Sequence, residues 1–151
     1  MRTLVVAVLL AGTAHAERPL HGSVGVGGTL IATGSRGDRL RLEAAFDLKL
    51  RSRYGFVAAW RAFDDTHHGL VTAGLTFEAG AARPRLVLDL HADLGVDLDH
   101  RTPLVGGGIR STLMIIGPTA LVFDGGGYLV IDGFDHTRLQ LQSALLLAAR
   151  W

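Results

Sequence analysis

Cysteine is absent. That excludes disulfides, thiol nucleophiles, thiolate-held metals and lipid attachment to a cysteine. No apolar run approaches the ~18 residues that a membrane-crossing helix requires. Neither sign of charge dominates, with 15 Lys+Arg against 14 Asp+Glu, so the chain lacks the electrostatic footprint of a protein that binds nucleic acid or an acidic polymer. Proline is scarce, at 4 residues, and aromatics make up only 7%. What is abundant is apolar surface, 48% of the chain, together with 20 glycines.

The first sixteen residues read as an export signal. Met1-Arg2-Thr3 is a basic start, Leu4 to Ala11 an apolar stretch, and Ala14-His15-Ala16 a small-residue cleavage pattern. Such a segment is expected to be cut before Glu17, which leaves residues 17–151 as one domain. Loss of Arg2 levels the two signs of charge.

From Leu20 onward apolar and polar residues alternate with period two, the signature of strands with two unlike faces. Eight such stretches are expected, at residues 20–33, 39–51, 54–63, 70–79, 86–98, 104–116, 120–131 and 137–151. The second stretch is the clearest. Leu40, Leu42, Ala44, Phe46, Leu48 and Leu50 share one face, opposite Arg41, Glu43, Asp47, Lys49 and Arg51. The fifth sets Leu86, Leu88, Leu90, Ala92, Leu94, Val96 and Leu98 against Asp89, His91, Asp93 and Asp97. On a helix, residues two apart would point to opposite sides. Short connections imply antiparallel hairpins between sequence neighbours. The expected fold class is therefore all-β, an eight-stranded antiparallel up-and-down barrel.

Periodicity alone does not say which face meets solvent. In a soluble barrel the leucines would line the cavity; in a membrane barrel they would meet lipid, with the polar face inside. Export, strands of spanning length, a bulky apolar face and a terminal aromatic, Trp151, favour the second. Leu139 to Trp151, an alternating strand closed by an aromatic, and the hairpin pattern across residues 17–151 resemble the small OmpA/OmpX-type outer-membrane barrels of Gram-negative bacteria. The resemblance implies a transmembrane barrel with a polar, side-chain-filled interior and with both ends of the chain in the periplasm. Outer-membrane lipid, periplasmic chaperones and the barrel assembly machinery would be its partners, and a monomer its state. The turns at residues 34–38, 64–69, 99–103 and 132–136 would be extracellular, and those at 52–53, 80–85 and 117–119 periplasmic. Tyr54, Phe56, Phe77, Phe123 and Trp151 would then form an aromatic girdle on the lipid face at the periplasmic end, with Trp60 the best candidate at the other.

The inward set would hold seven cations (Arg41, Lys49, Arg51, Arg61, Arg110, Arg138 and Arg150) and seven anions (Glu43, Asp47, Glu78, Asp89, Asp93, Asp97 and Asp124). Buried charges persist only when paired. We therefore expect a salt-bridged plug, in which Arg41, Arg61 and Arg110 neutralise the acidic face of the fifth strand; a narrow ion path through the same groups is the alternative.

Asp64, Asp65, His67, His68, Asp99, His100, Asp135 and His136 lie in three of the expected outer turns. Imidazole and carboxylate are ligands for Zn²⁺, Ni²⁺ or Cu²⁺, so a rim metal or small-ligand site is one reading. Solvated turn residues are the plainer one. No catalytic constellation emerges. Lipid A acyltransferases and deacylases of barrel type carry Ser and His at the outer rim, whereas here His136 is followed by Thr137 and Arg138. Gly125-Gly126-Gly127 does not lie between a strand and a helix, as a phosphate loop would, and reads as room for larger neighbours; Gly106-Gly107-Gly108 reads the same way, as space for Arg and Tyr side chains. The expected function is non-enzymatic, structural or surface-interacting, with no cofactor.

Overall fold

The computed structural model describes residues 20–33, 36–50, 53–62, 69–83, 85–98, 100–132 and 136–151. The expected leader, residues 1–16, lies outside them. Eight strands follow one another without a helix: β1 (His21–Thr33), β2 (Arg36–Lys49), β3 (Tyr54–Ala62), β4 (Gly69–Arg83), β5 (Leu86–Asp97), β6 (Thr102–Ile116), β7 (Thr119–Ile131) and β8 (Thr137–Arg150). Each pairs antiparallel with its sequence neighbours, and β1 pairs with β8 to close the barrel. Closure satisfies every edge, so no strand is left as a template for another chain. The seam continues to the last residue, where Gly22 and Trp151 exchange both backbone hydrogen bonds at 3.2 Å.

Alternation fixes the faces. In β8, Gln140, Gln142, Ala144, Leu146 and Ala148 point inward, while Leu139, Leu141, Leu145 and Leu147 are exposed on the outside. The same division runs through all eight strands, so the leucine-rich face is the outer one.

Strand ends differ from expectation where the pattern is interrupted. β2 begins at Arg36, which pairs with Thr33, so Gly37 and Asp38 lie within the strand rather than in a turn, and the register shifts between Ile31 and Thr33. β4 continues to Arg83, with register shifts between Glu78 and Gly80 and between Ala81 and Arg83. A bulge adds a residue and breaks period two while pairing persists, which is why Gly80 and its neighbours resemble a turn in sequence. Thr102 and Pro103 also belong to a strand, β6, as does Thr119, to β7. Between β6 and β7, Gly117 adopts φ +54°, a left-handed conformation that glycine takes without a Cβ penalty.

The first and last described residues, Leu20 and Trp151, lie at one end of the barrel, where β2, β4 and β6 end and β3, β5 and β7 begin. This is the terminal end; the opposite one is the distal end. The lumen is filled by side chains, and not all are polar. Ile31, Leu70, Leu104, Tyr128 and Val130 form an apolar cluster toward the distal end. Ala45, Ala59, Val122, Ala144, Leu146 and Ala148 form a second, on the walls of β2, β3, β7 and β8. These residues share the parity of the charged ones, so the interior is mixed rather than uniformly polar.

Candidate functional site

The most organised chemistry in the molecule is in the lumen. Three inward rungs cross β4 to β8. One contains Gly74, Asp93, Gly106, Tyr128 and Gln140; the next Thr76, His91, Gly108, Gly126 and Gln142; the third Glu78, Asp89, Arg110, Asp124 and Ala144. Large polar residues and glycines share the first two rungs because an eight-stranded lumen has room only for interlocking side chains. A Cβ at Gly74 would meet the Ala92 carbonyl oxygen and the Asp93 carboxylate, and one at Gly106 the Gly127 carbonyl oxygen and the Tyr128 ring. Gly106 thus makes room for a tyrosine, while Gly107, of the opposite parity, does not face the lumen.

Ion pairs tie these rungs together. Arg110 donates from Nε to Asp124 Oδ2 at 2.8 Å, and its Nη2 stands 2.6 Å from the same oxygen. Arg61 Nε donates to Glu43 Oε2 at 3.0 Å, and its Nη1 to Thr72 Oγ1 at 3.1 Å. Lys49 Nζ lies 2.6 Å from Asp89 and donates to Thr76 Oγ1 at 3.0 Å. Tyr128 donates its hydroxyl to Asp93 Oδ2 at 2.7 Å, and the Arg61 guanidinium sits 5.8 Å from the centre of its ring. His91 bridges the remainder, with Nδ1 2.8 Å from Asp93 Oδ2 and Nε2 3.1 Å from Asp124 Oδ1. One continuous path therefore runs from Glu43 through Arg61, Tyr128, Asp93, His91 and Asp124 to Arg110, and stitches together β2, β3, β5, β6 and β7.

The partners differ from those expected. Arg61 and Arg110 pair with Glu43 and Asp124, not with the acidic face of β5. That face is met by Lys49 at Asp89 and by His91 at Asp93. Charge count identified the participants, but strand register chose the two arginine pairs, Glu43 standing opposite Arg61 and Arg110 opposite Asp124 on neighbouring strands, while Lys49 reaches Asp89 across the lumen. In consequence Asp93 holds two donors, and replacing it leaves both without an acceptor.

Of the charged set, Arg41, Glu43, Asp47, Lys49, Arg61, Asp89, Asp93, Arg110 and Asp124 are all buried. Glu78, Asp97 and Arg150 are half-buried nearer the ends, and Arg138 is exposed, 3.8 Å from Asp132. Arg51 lies outside the described residues. At the terminal end a recess with room for about one water is lined by His21, Asp47, Lys49, Asp89, Thr112 and Arg150.

Tyr54, Phe56, Phe123 and Trp151 are exposed on the outer face near the terminal end, and Phe77 there is half-buried. Tyr54 packs at a tilt against Phe77 with ring centres 5.3 Å apart, and Phe46 likewise against Trp151 at 6.2 Å. Trp60 is exposed toward the distal end.

Most of the rim candidates, Asp64, Asp65, His67, His68, Asp99 and Asp135, lie outside the described residues. His100 stands with Nδ1 3.0 Å from Asp97 Oδ2, and His136 is exposed, its carbonyl accepting from the Asp132 N–H at 3.2 Å. Among the described residues no group of three His, Asp or Glu side chains is placed to hold a metal.

His91 and Tyr128 are the members of the lumen network that counting formal charges misses. The available signal was positional: His91 alternates with Asp89 and Asp93, and Tyr128 with Asp124.

No family model matches the chain, and neither does any curated protein. Solved structures do. The solution structure of the de novo designed protein TMB2.3 is similar over 90% of this chain and 98% of its own, with TM-score 0.58 and 14% identity. Ail, the attachment invasion locus protein of Yersinia pestis, aligns over 87% of this chain and 97% of its own, with TM-score 0.40 and 12% identity. At such identities the likeness to the designed protein is one of fold, an eight-stranded closed barrel.

Proposed function

We propose that this chain is a small, non-enzymatic outer-membrane barrel of a Gram-negative bacterium, exported by a cleaved leader and serving a structural or surface-interaction role. The carrying observation is the inversion of its faces. Leu42, Leu75 and Leu94 are 60%, 61% and 69% exposed, whereas Glu43 and Asp89 are 0% and 2% exposed. Each leucine transferred from water into an apolar phase contributes roughly 1.5–3 kcal/mol. All eight strands present such residues outward, a far larger patch than monomeric soluble proteins carry. A bilayer supplies the apolar phase. Strands of 9 to 15 residues reach across it when tilted, since about 9–11 suffice. Aromatic rings near the terminal end fit the interfacial girdle of such barrels.

The interior supports a structural role. Arg61 is paired with Glu43, Lys49 with Asp89 and Arg110 with Asp124, and an apolar cluster that includes Ile31, Leu70, Leu104 and Val130 lies in the distal part of the lumen. Both features argue against an ion path. Lipid would surround a monomer, delivered by periplasmic chaperones and the assembly machinery. Fractionation of cells expressing the full chain tests the proposal. The protein should travel with an outer-membrane marker and shift its gel mobility on boiling; a soluble periplasmic pool would overturn it.

A further inference from the structure

The buried charges do not balance as they stand. Among the described residues four Arg and Lys side chains are buried with five carboxylates. One uncompensated charge inside a packed lumen is costly enough that such sites neutralise it. The buried group left over is His91, 7% exposed.

Its surroundings show how it contributes. Both ring nitrogens face a carboxylate oxygen, Asp93 Oδ2 at 2.8 Å and Asp124 Oδ1 at 3.1 Å. A neutral imidazole has one N–H and one bare lone pair. In either neutral tautomer that lone pair would point at a carboxylate. Only a ring protonated on both nitrogens can donate to both. The alternative, a proton on a carboxylate, is disfavoured at Asp124 by Arg110, two of whose nitrogens meet Oδ2, and at Asp93 by Tyr128. The Tyr128 hydroxyl donates to Asp93 Oδ2 at 2.7 Å, so that oxygen receives two donors, the arrangement of a carboxylate.

The other neighbours support the same state. On its own strand His91 lies between Asp89 and Asp93, β4 opposes it with uncharged Thr76, and β6 with Gly108. Arg110, the nearest cation on β6, is already held by Asp124 Oδ2, and Arg61 on β3 by Glu43 of β2. Neither is left to meet Asp93.

We propose that the barrel contains a binding site for one structural proton, at His91 between Asp93 and Asp124, and that this proton completes the charge balance of the lumen. The site holds the imidazolium as a fifth buried cation and makes it the link between β5 and β7. This inference rests on the geometry of the lumen and not on what surrounds the barrel.

The test uses the barrel folded in detergent micelles with isotope-labelled histidine, the His91 signal being assigned by its loss in His91→Gln. Both ring nitrogens should carry protons at neutral pH; one bare nitrogen in the folded protein overturns the proposal. His91→Gln should lower the midpoint of denaturant unfolding, and adding Asp93→Asn, which removes the orphaned charge, should recover at least half of that loss. A double variant no more stable than the single one also overturns it. Should His91→Gln fail to fold, Asp93→Asn alone decides. Four carboxylates then match four cations, so His91 should show one bare nitrogen, and a ring still protonated twice refutes the balance. Partition of the unaltered barrel into the aqueous phase would instead refute the membrane placement and leave the proton site standing.

Discussion

Replacing Arg110 with leucine isolates what pairing contributes to this lumen. Arg110 and Asp124 are 3% and 4% exposed, and two guanidinium nitrogens converge on Asp124 Oδ2 at 2.8 and 2.6 Å. Removing one partner of a buried pair costs about 3–5 kcal/mol, because the other charge stays behind without compensation. Asp124 keeps one contact, from His91 at 3.1 Å, which places the expected loss near the lower bound, about 3 kcal/mol. The partner change is Asp124→Asn in the Arg110→Leu background. It removes the stranded charge, keeps a carbonyl to accept from His91, and leaves four buried cations against four carboxylates. Recovery of half or more of the loss is expected. The assay is denaturant unfolding of the barrel in micelles, followed by tryptophan fluorescence and gel mobility and extrapolated linearly to water. A single variant within about 0.5 kcal/mol of the parent, the range of surface substitutions, would refute the reasoning. So would a double variant as unstable as the single one.

Other perturbations probe the remaining contacts. Tyr128→Phe deletes the hydroxyl that donates to Asp93 at 2.7 Å and should cost about 1.5–3 kcal/mol, as for a hydrogen bond to a charged group, read by the same unfolding assay. Gly106→Ala drives a methyl against the Gly127 carbonyl oxygen and the Tyr128 ring and should cost about 1–3 kcal/mol by overpacking; equal stability would show that both the β7 backbone and the ring can yield. Gly117→Ala forces alanine to φ +54°, a loss of about 1–2 kcal/mol, visible as a lowered midpoint without change in strand content by circular dichroism. Leu145→Arg, on an outer-face residue 53% exposed, should destabilise the barrel in bilayers by about 2–4 kcal/mol if it lies near the midplane; in a water-facing position it would be close to neutral.

Strand number, hairpin order and the division of faces were legible in the sequence because alternation is long and clean in β2 and β5, where each pair of residues assigns both faces. Legibility failed where the period slipped. In β4 the register shifts beside Gly80 conceal the strand's last residues, and in β2 Gly37 and Asp38 read as a turn although they lie within the strand, at a register shift against β1. Inside the lumen the pattern identified which residues share a face but not which meet. Arg110 is in register with Asp89 on one side and with Asp124 on the other, yet it pairs with Asp124, and Asp89 is met by Lys49 from β2, a strand not paired with β5. Reach across a closed barrel depends on strand stagger, which no single strand encodes. The same limit hid His91, whose charge follows from having a carboxylate on each side. Leu70, Leu104 and Leu146 line the lumen although they are leucines; hydrophobicity does not separate lipid-facing from packed positions, and only parity with their polar neighbours does.

The central claim is that the outer face of this barrel meets lipid. Trp60 and Trp151 are the chain's 2 tryptophans, and they stand on that face at 40% and 59% exposure, toward opposite ends of the barrel. Their fluorescence in reconstituted vesicles, quenched in turn by brominated acyl chains and by aqueous iodide, tests the claim directly. Strong quenching by the brominated lipid with little effect of iodide is the predicted result. Efficient iodide quenching with no response to the lipid would contradict it.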